Sequence, residues 1–167
     1  DLSGSNLEGV DLSRAYLYGA NLERANLQDA NLSQANFGGA RMKGADLRGA
    51  RFDVTVLQGA DLTGGDLSGT DLTKALLSQA NLKDANLSRT RGLQDMTGCD
   101  FSGANLTGSD LGAAKDWQGK SAKFAGATYD AKTHWPDGVD PLAVGAVLVE
   151  TPAEPAPVDP PAAEGPK

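Results

Sequence analysis

A large apolar residue falls on every fifth position from Leu2 to Leu87 without a failure. The series is Leu2, Leu7, Leu12, Leu17, Leu22, Leu27, Leu32, Phe37, Met42, Leu47, Phe52, Leu57, Leu62, Leu67, Leu72, Leu77, Leu82 and Leu87. With this position called i, 12 of the 17 residues at i−2 are Ala, 13 of 18 at i−1 are Asn or Asp, and 9 of 18 at i+2 are Gly. No standard period explains the pattern. A five-residue step turns an α-helix by about 500°, so the leucines would share no face. On a flat strand an odd step flips the side chain each time. A chain that turns a corner every five residues reconciles the two. Positions i−2 and i then point inward, and i−1 and i+1 point outward. Ala at i−2 keeps the corner clear of neighbouring core, and Asn, Asp and Gly suit tight turns.

This Ala-Asn/Asp-Leu-x-Gly rhythm resembles the pentapeptide-repeat family. The resemblance implies an all-β fold, a right-handed quadrilateral parallel β-helix (a β-solenoid) of about six coils with a C-terminal cap and an extended tail. It also implies four units per coil, so residues 20 apart should stack. Leu2, Leu22, Met42, Leu62 and Leu82 would form one interior column, with coils about 4.8 Å apart. No coil can bury its own face, so stability must come from stacking and from closed ends.

The repeat predicts a solenoid over residues 1–129, a cap segment over 130–150 and a tail over 151–167. After Leu87 the register breaks near 88–95 and resumes one residue out of frame at Met96, Phe101, Leu106 and Leu111. A short bulging loop is expected near 88–94. Arg89 and Arg91 on it would be a solvated insertion or a binding feature. Cys99 falls at an i−2 position, where a buried small hydrophobe fits better than a reactive thiol. A second loop is expected near 112–121, and further units begin at Ala122-Lys123-Phe124 and Ala127-Thr128-Tyr129. The stretch from Thr128 to Pro141 resembles an ending common among pentapeptide-repeat proteins, many of them cyanobacterial. Trp117, Tyr129 and Trp135 would cover the last coil's leucines, ligand stacking being the sharper alternative, and Trp135-Pro136-Asp137-Gly138 makes a turn. The apolar run 142–149 would be a strand or helix docked on the cap, or a segment waiting for a partner. The tail, with six prolines among Ala and Glu, should be extended and disordered unless a partner orders it.

Composition narrows the function. Aromatics are only 5% of the 167 residues, so Leu and Ala carry a thin core. Net charge is −7, which does not invite nucleic acid or an anionic membrane. No apolar run approaches the roughly 20 residues of a membrane span. The chain begins at Asp1 in mid-repeat, so the compartment stays open: cytoplasmic, or periplasm or thylakoid lumen had a signal peptide been removed. One His and one Cys provide no metal cluster and no Cys-His pair. The glycines follow the five-residue rhythm and form no phosphate loop. The stacked acids Asp46 with Asp66, and Asp61 with Asn81, follow from turn chemistry at i−1, and no ligand count supports calcium. No catalytic residue, cofactor or metal is expected.

Function should then sit in departures from consensus on the outer surface. Stacking by 20 puts Tyr16, Asn36, Val56 and Leu76 in the i−1 column of the fourth side. The other i−1 columns carry only Asn, Asp, Arg41 and Arg51 up to Asn86. With Val54 and Tyr18 alongside, Tyr16, Tyr18, Val54, Val56 and Leu76 should make an exposed apolar stripe, a dimer or partner interface, or else tolerated drift on a solenoid wall. The cluster Arg41, Lys43, Arg48 and Arg51 would balance neighbouring acids or meet an acidic partner. The reading is a non-enzymatic protein-binding or scaffolding module. The alternative is a DNA mimic, because some pentapeptide-repeat proteins resemble duplex DNA in shape and charge and protect or inhibit DNA gyrase. That alternative wants strongly acidic coils. Residues 1–88 carry 11 acids and 8 bases, residues 89–129 carry 4 and 5, and residues 130–167 carry 7 and 2, so the negative charge concentrates at the C-terminal end.

Overall fold

The computed structural model describes residues 1–112 and 122–150. The expected loop at 112–121, apart from its first residue, the capping role of Trp117 and the tail at 151–167 therefore lie outside the described residues. The chain winds as a four-sided stack in which residues 20 apart pair in parallel. Asn6 bridges Asn26, Asn26 bridges Asp46, Asp46 bridges Asp66 and Asp66 bridges Asn86, all on the second side. The first side carries the column beginning at Leu2, and the third and fourth sides carry those beginning at Leu12 and Leu17. Each side makes one bridge, at i−1, before the chain turns. The i+3 amide closes each turn on the i carbonyl, as from Ala25 to Leu22 at 3.1 Å. Up to Arg89 the i+2 residue takes a positive φ whether it is glycine or not, as at Gly64 (65°) and Gln34 (61°), Lys74 excepted. Glycine is common there because only it enters that region without steric cost.

The Asn or Asp at i−1 has a second duty. Its Oδ1 accepts the i+1 amide, as from Ser13 to Asp11 at 2.8 Å and from Ser68 to Asp66 at 2.9 Å. The Asn amides also donate down the column, as from Asn26 to Asn6 and from Asn86 to Asp66, both at 3.1 Å. Turn chemistry and a polar ladder thus share one side chain. Inside, Leu22, Met42, Leu62 and Leu82 are fully buried, whereas Leu2 on the first coil is only half-buried.

The register break is a shortening and not the bulging loop expected near 88–94. Arg91 still bridges Asp71 at 20 residues, and Asn81 then bridges Asp100 at 19. Leu93 and Met96 turn into the core. Arg89 holds an ordinary i+2 place with φ 59°, and Arg91 lies 3.8 Å from Asp71. Gly92 permits the tightening, because a methyl group there would lie 2.1 Å from the Thr73 hydroxyl.

Farther on the coils lengthen, with Asp100 bridging Lys123, Asn105 bridging Thr128 and Asp110 bridging His134. Phe124 stacks on Phe101 with ring centroids 5.1 Å apart. Trp135 meets Phe124 and Tyr129 edge-on at 5.2 and 5.5 Å. Val139 donates to Pro136 to close the expected turn. The apolar run after it forms a strand: β1 (Thr128–Tyr129) pairs in parallel with β2 (Val147–Leu148). No helix among the described residues is long and apolar enough to cross a membrane.

Candidate interaction face

Ladder pairing brings the fourth-side residues into one column: Tyr16 bridges Asn36, Asn36 bridges Val56, and Val56 bridges Leu76. Tyr16 and Tyr18, two apart on the same outer wall, stack at 6.4 Å with 18° between rings. The Tyr18 ring lies over Gly38, where an added Cβ would meet it at 3.0 Å. Both rings nevertheless face solvent, at 78% and 64% exposure, and Leu76 and Val54 remain 46% and 48% exposed. Val56 departs from expectation. It is half-buried, flanked in the column by Asn36 and Leu76. The exposed stripe is therefore Tyr16, Tyr18, Val54 and Leu76, with Val56 half-buried among them. A shallow groove of about 440 Å³ runs beside it, lined by Tyr18, Asn36, Gly38, Val56 and Gln58 among others.

These apolar residues displace a stabilising device. Only Asn36 in this column caps its turn, accepting the Gly38 amide at 2.9 Å. Tyr16, Val56 and Leu76 have no acceptor to offer, so three turns lose a bond of about 0.5–1.5 kcal/mol each. Val54 adds backbone strain, because it is the one β-branched residue among the non-glycine residues of positive φ (53°).

The other singled-out residues resolve differently. Arg41 pairs with Glu23, and Arg48 pairs with Asp46 at 2.6 Å, so these two balance neighbouring acids. Arg41 stands in the first column and Arg51 in the third, on opposite sides of the stack. The four cations do not form one patch. Cys99 is fully buried, its thiol donates to the Leu77 carbonyl at 3.1 Å, and burial pushes its pKa up to about 12. His134 is exposed and continues the third column, with Nδ1 2.9 Å from Asp110. Among the described residues no three His, Cys, Asp or Glu side chains gather in a way that could hold a metal ion.

The family model "Pentapeptide repeats" matches in eight copies, over residues 1–34, 25–64, 55–91 and 94–115. Among solved structures, alr5209, a pentapeptide repeat protein from Nostoc PCC 7120, is 33% identical, with 77% of this chain and 84% of that chain covered and a TM-score of 0.27. Rfr23 from the cyanobacterium Cyanothece 51142 is 28% identical over 79% and 88% of the two chains, with a TM-score of 0.49. HetL from Nostoc sp. strain PCC 7120, a pentapeptide repeat protein involved in heterocyst differentiation regulation, is 28% identical over 88% and 67%, with a TM-score of 0.37. No curated protein matches the chain.

Proposed function

Since the chain belongs to the pentapeptide-repeat family, whose fold is the right-handed quadrilateral β-helix and whose members are generally non-catalytic, we propose that it is a protein-binding module whose partner seats on the fourth side. One observation carries this reading. A single column gives up three turn caps and tolerates a strained valine to expose Tyr16, Tyr18, Val54 and Leu76. Exposed aromatic and aliphatic residues in one stripe, rimmed by polar turns, suit a protein surface. The regular coils serve as a rigid ruler that holds the stripe straight. Tyr129 and Trp135 pack against the core at the C-terminal end of the coils, while Leu142, Val147 and Leu148 there stay exposed beside no part of the stripe. The DNA-mimic alternative has the charge against it, because residues 1–88 hold 11 acids against 8 bases.

The test is quantitative affinity capture with the full chain, with purified partner or a second copy of the chain used to measure affinity. Tyr16→Ser combined with Leu76→Asp should weaken binding at least about tenfold, as loss of a buried aromatic anchor does. Arg24→Ser with Lys43→Ser, on the first side, should leave it unchanged. Equal binding by both double variants would sink the proposal.

A further inference from the structure

Before the register break after Leu87, beyond which Leu76 and Leu77 also lack ladder partners on the next coil, the ladder is interrupted on one side. Between residues 41–60 and 61–80 the first side is fully bonded, with Met42 donating to Asp61 and Asp61 to Ala40. The fourth side is bonded too, with Leu57 donating to Leu76 and Leu76 to Thr55. The second side keeps Leu47 to Asp66 and Asp66 to Ala45. On the third side none of the corresponding bonds forms. Gly49 to Ser68 at its entrance, Phe52 to Asp71, Val54 to Thr73 and Asp71 to Ala50 are all missing from an otherwise repetitive set, and so is the Arg51–Asp71 bridge. The same strand stretches are paired away from the gap, Leu32 to Arg51 above it and Leu72 to Arg91 below it. The opening is thus local. Thr55 supplies a cause. Equivalent hydroxyls at Ser5, Thr70 and Thr90 bond within their own turn, but Thr55 Oγ1 reaches back to the Leu32 carbonyl at 2.8 Å and ties this corner to the coil above.

A cavity of about 530 Å³ occupies the opening. In a regular coil the amides of Phe52 and Val54 bond to the coil below and that of Asp71 to the coil above; here all three lack that bond, and Phe52 and Asp71 line the cavity. Main-chain donors left without a protein acceptor need another partner. The lining holds three cations, Arg51, Lys74 and Arg91, against two carboxylates, Asp53 and Asp71. Lys74 is bound to Asp53 at 2.8 Å, and Arg91 stands 3.8 Å from Asp71, whose Oδ1 already accepts the Thr73 amide. Arg51 makes no ion pair among the described residues.

We propose that this opening between coils is a binding site for a small oxyanion, a carboxylate or phosphate group, held by the Arg51 guanidinium and the freed amides of Phe52 and Asp71. Unbonded amides beside a guanidinium without an ion-pair partner are donors such a group takes. The site lies on the third side and adjoins the fourth-side stripe at Val54.

The experiment is an amide NMR titration of the full chain with sodium acetate and, separately, sodium phosphate, at ionic strength held constant with sodium chloride. Saturable shifts centred on Phe52, Val54 and Asp71 are expected with at least one anion, weakened about tenfold or more in Arg51→Gln. A response to acetate alone identifies a carboxylate ligand, to phosphate alone a phosphate ligand, and to both a general oxyanion site. The absence of any localised saturable shift overturns the proposal. So do shifts spread evenly over the basic surface, or affinity unchanged in Arg51→Gln.

Discussion

At the scale of single residues, the repeat assigns each position one task, and the exceptions show which tasks were given up. Asn and Asp at i−1 were legible as turn formers. Their second role, donating along the column from coil to coil, was not, because it appears only once residues 20 apart are stacked. Val54 occupies a φ of 53° that a β-branched residue enters at a cost of about 1–2 kcal/mol. Val54→Gly should therefore raise stability by about 1 kcal/mol, seen as a higher denaturant midpoint, while removing one member of the stripe. Cys99 was legible as a small core residue from its i−2 place. Its thiol has an ordinary value of 9.0 and reaches about 12 in the fold. From pH 9.0 upward the unfolded chain loses that proton while the folded chain keeps it. The unfolded state then binds fewer protons, so stability is intact below pH 9.0 and falls as the pH rises toward about 12. Cys99→Ala, which restores the consensus residue, should lose that component of the alkaline decline. Alkylation of native Cys99 at pH 8 should proceed only as fast as the chain opens.

At the scale of the coil, the frame shift after Leu87 was visible but its form was not. The polar run Ser88-Arg89-Thr90-Arg91 suggests a loop, yet its residues stay on the ladder, and the residue is lost just after Arg91, since Arg91 still pairs with Asp71 whereas Gly92 lies over Thr73. Leu93 makes this possible by filling core that a polar loop would have left empty. Gly92 and Gly64 separate the two costs of a turn. Gly64→Ala meets open space and pays only for φ 65°, about 1–2 kcal/mol. Gly92→Ala pays the same and also clashes with Thr73, so its loss of stability in denaturant titration should be clearly larger. The gap beside Phe52 was not legible, because the large apolar residues there keep their five-residue spacing and the sequence does not show that Thr55 bonds to the coil above instead of within its own turn. Hydrogen exchange should report it: the amides of Phe52, Val54 and Asp71 should exchange at least about tenfold faster than those of Leu47, Leu57 and Leu67.

At the scale of the molecule, coils that touch only their neighbours form a nearly one-dimensional body whose sides act independently. The apolar fourth side was largely legible, because stacking by 20 is enough to line up Tyr16, Val56 and Leu76. Burial of Val56 was not, since it depends on how its ladder neighbours cover it. The third side carries the proposed anion site, and the first carries paired charges. The fourth is left as the surface with exposed aromatic area and no structural duty. Its role is tested most directly by hydrogen exchange on the full chain with and without the partner it captures, the partner being a second copy if the chain self-associates. The account predicts slowed exchange confined to the amides around Tyr16–Tyr18, Val54–Val56 and Leu76. Slowed exchange on the first or second side, with these amides unchanged, would contradict it.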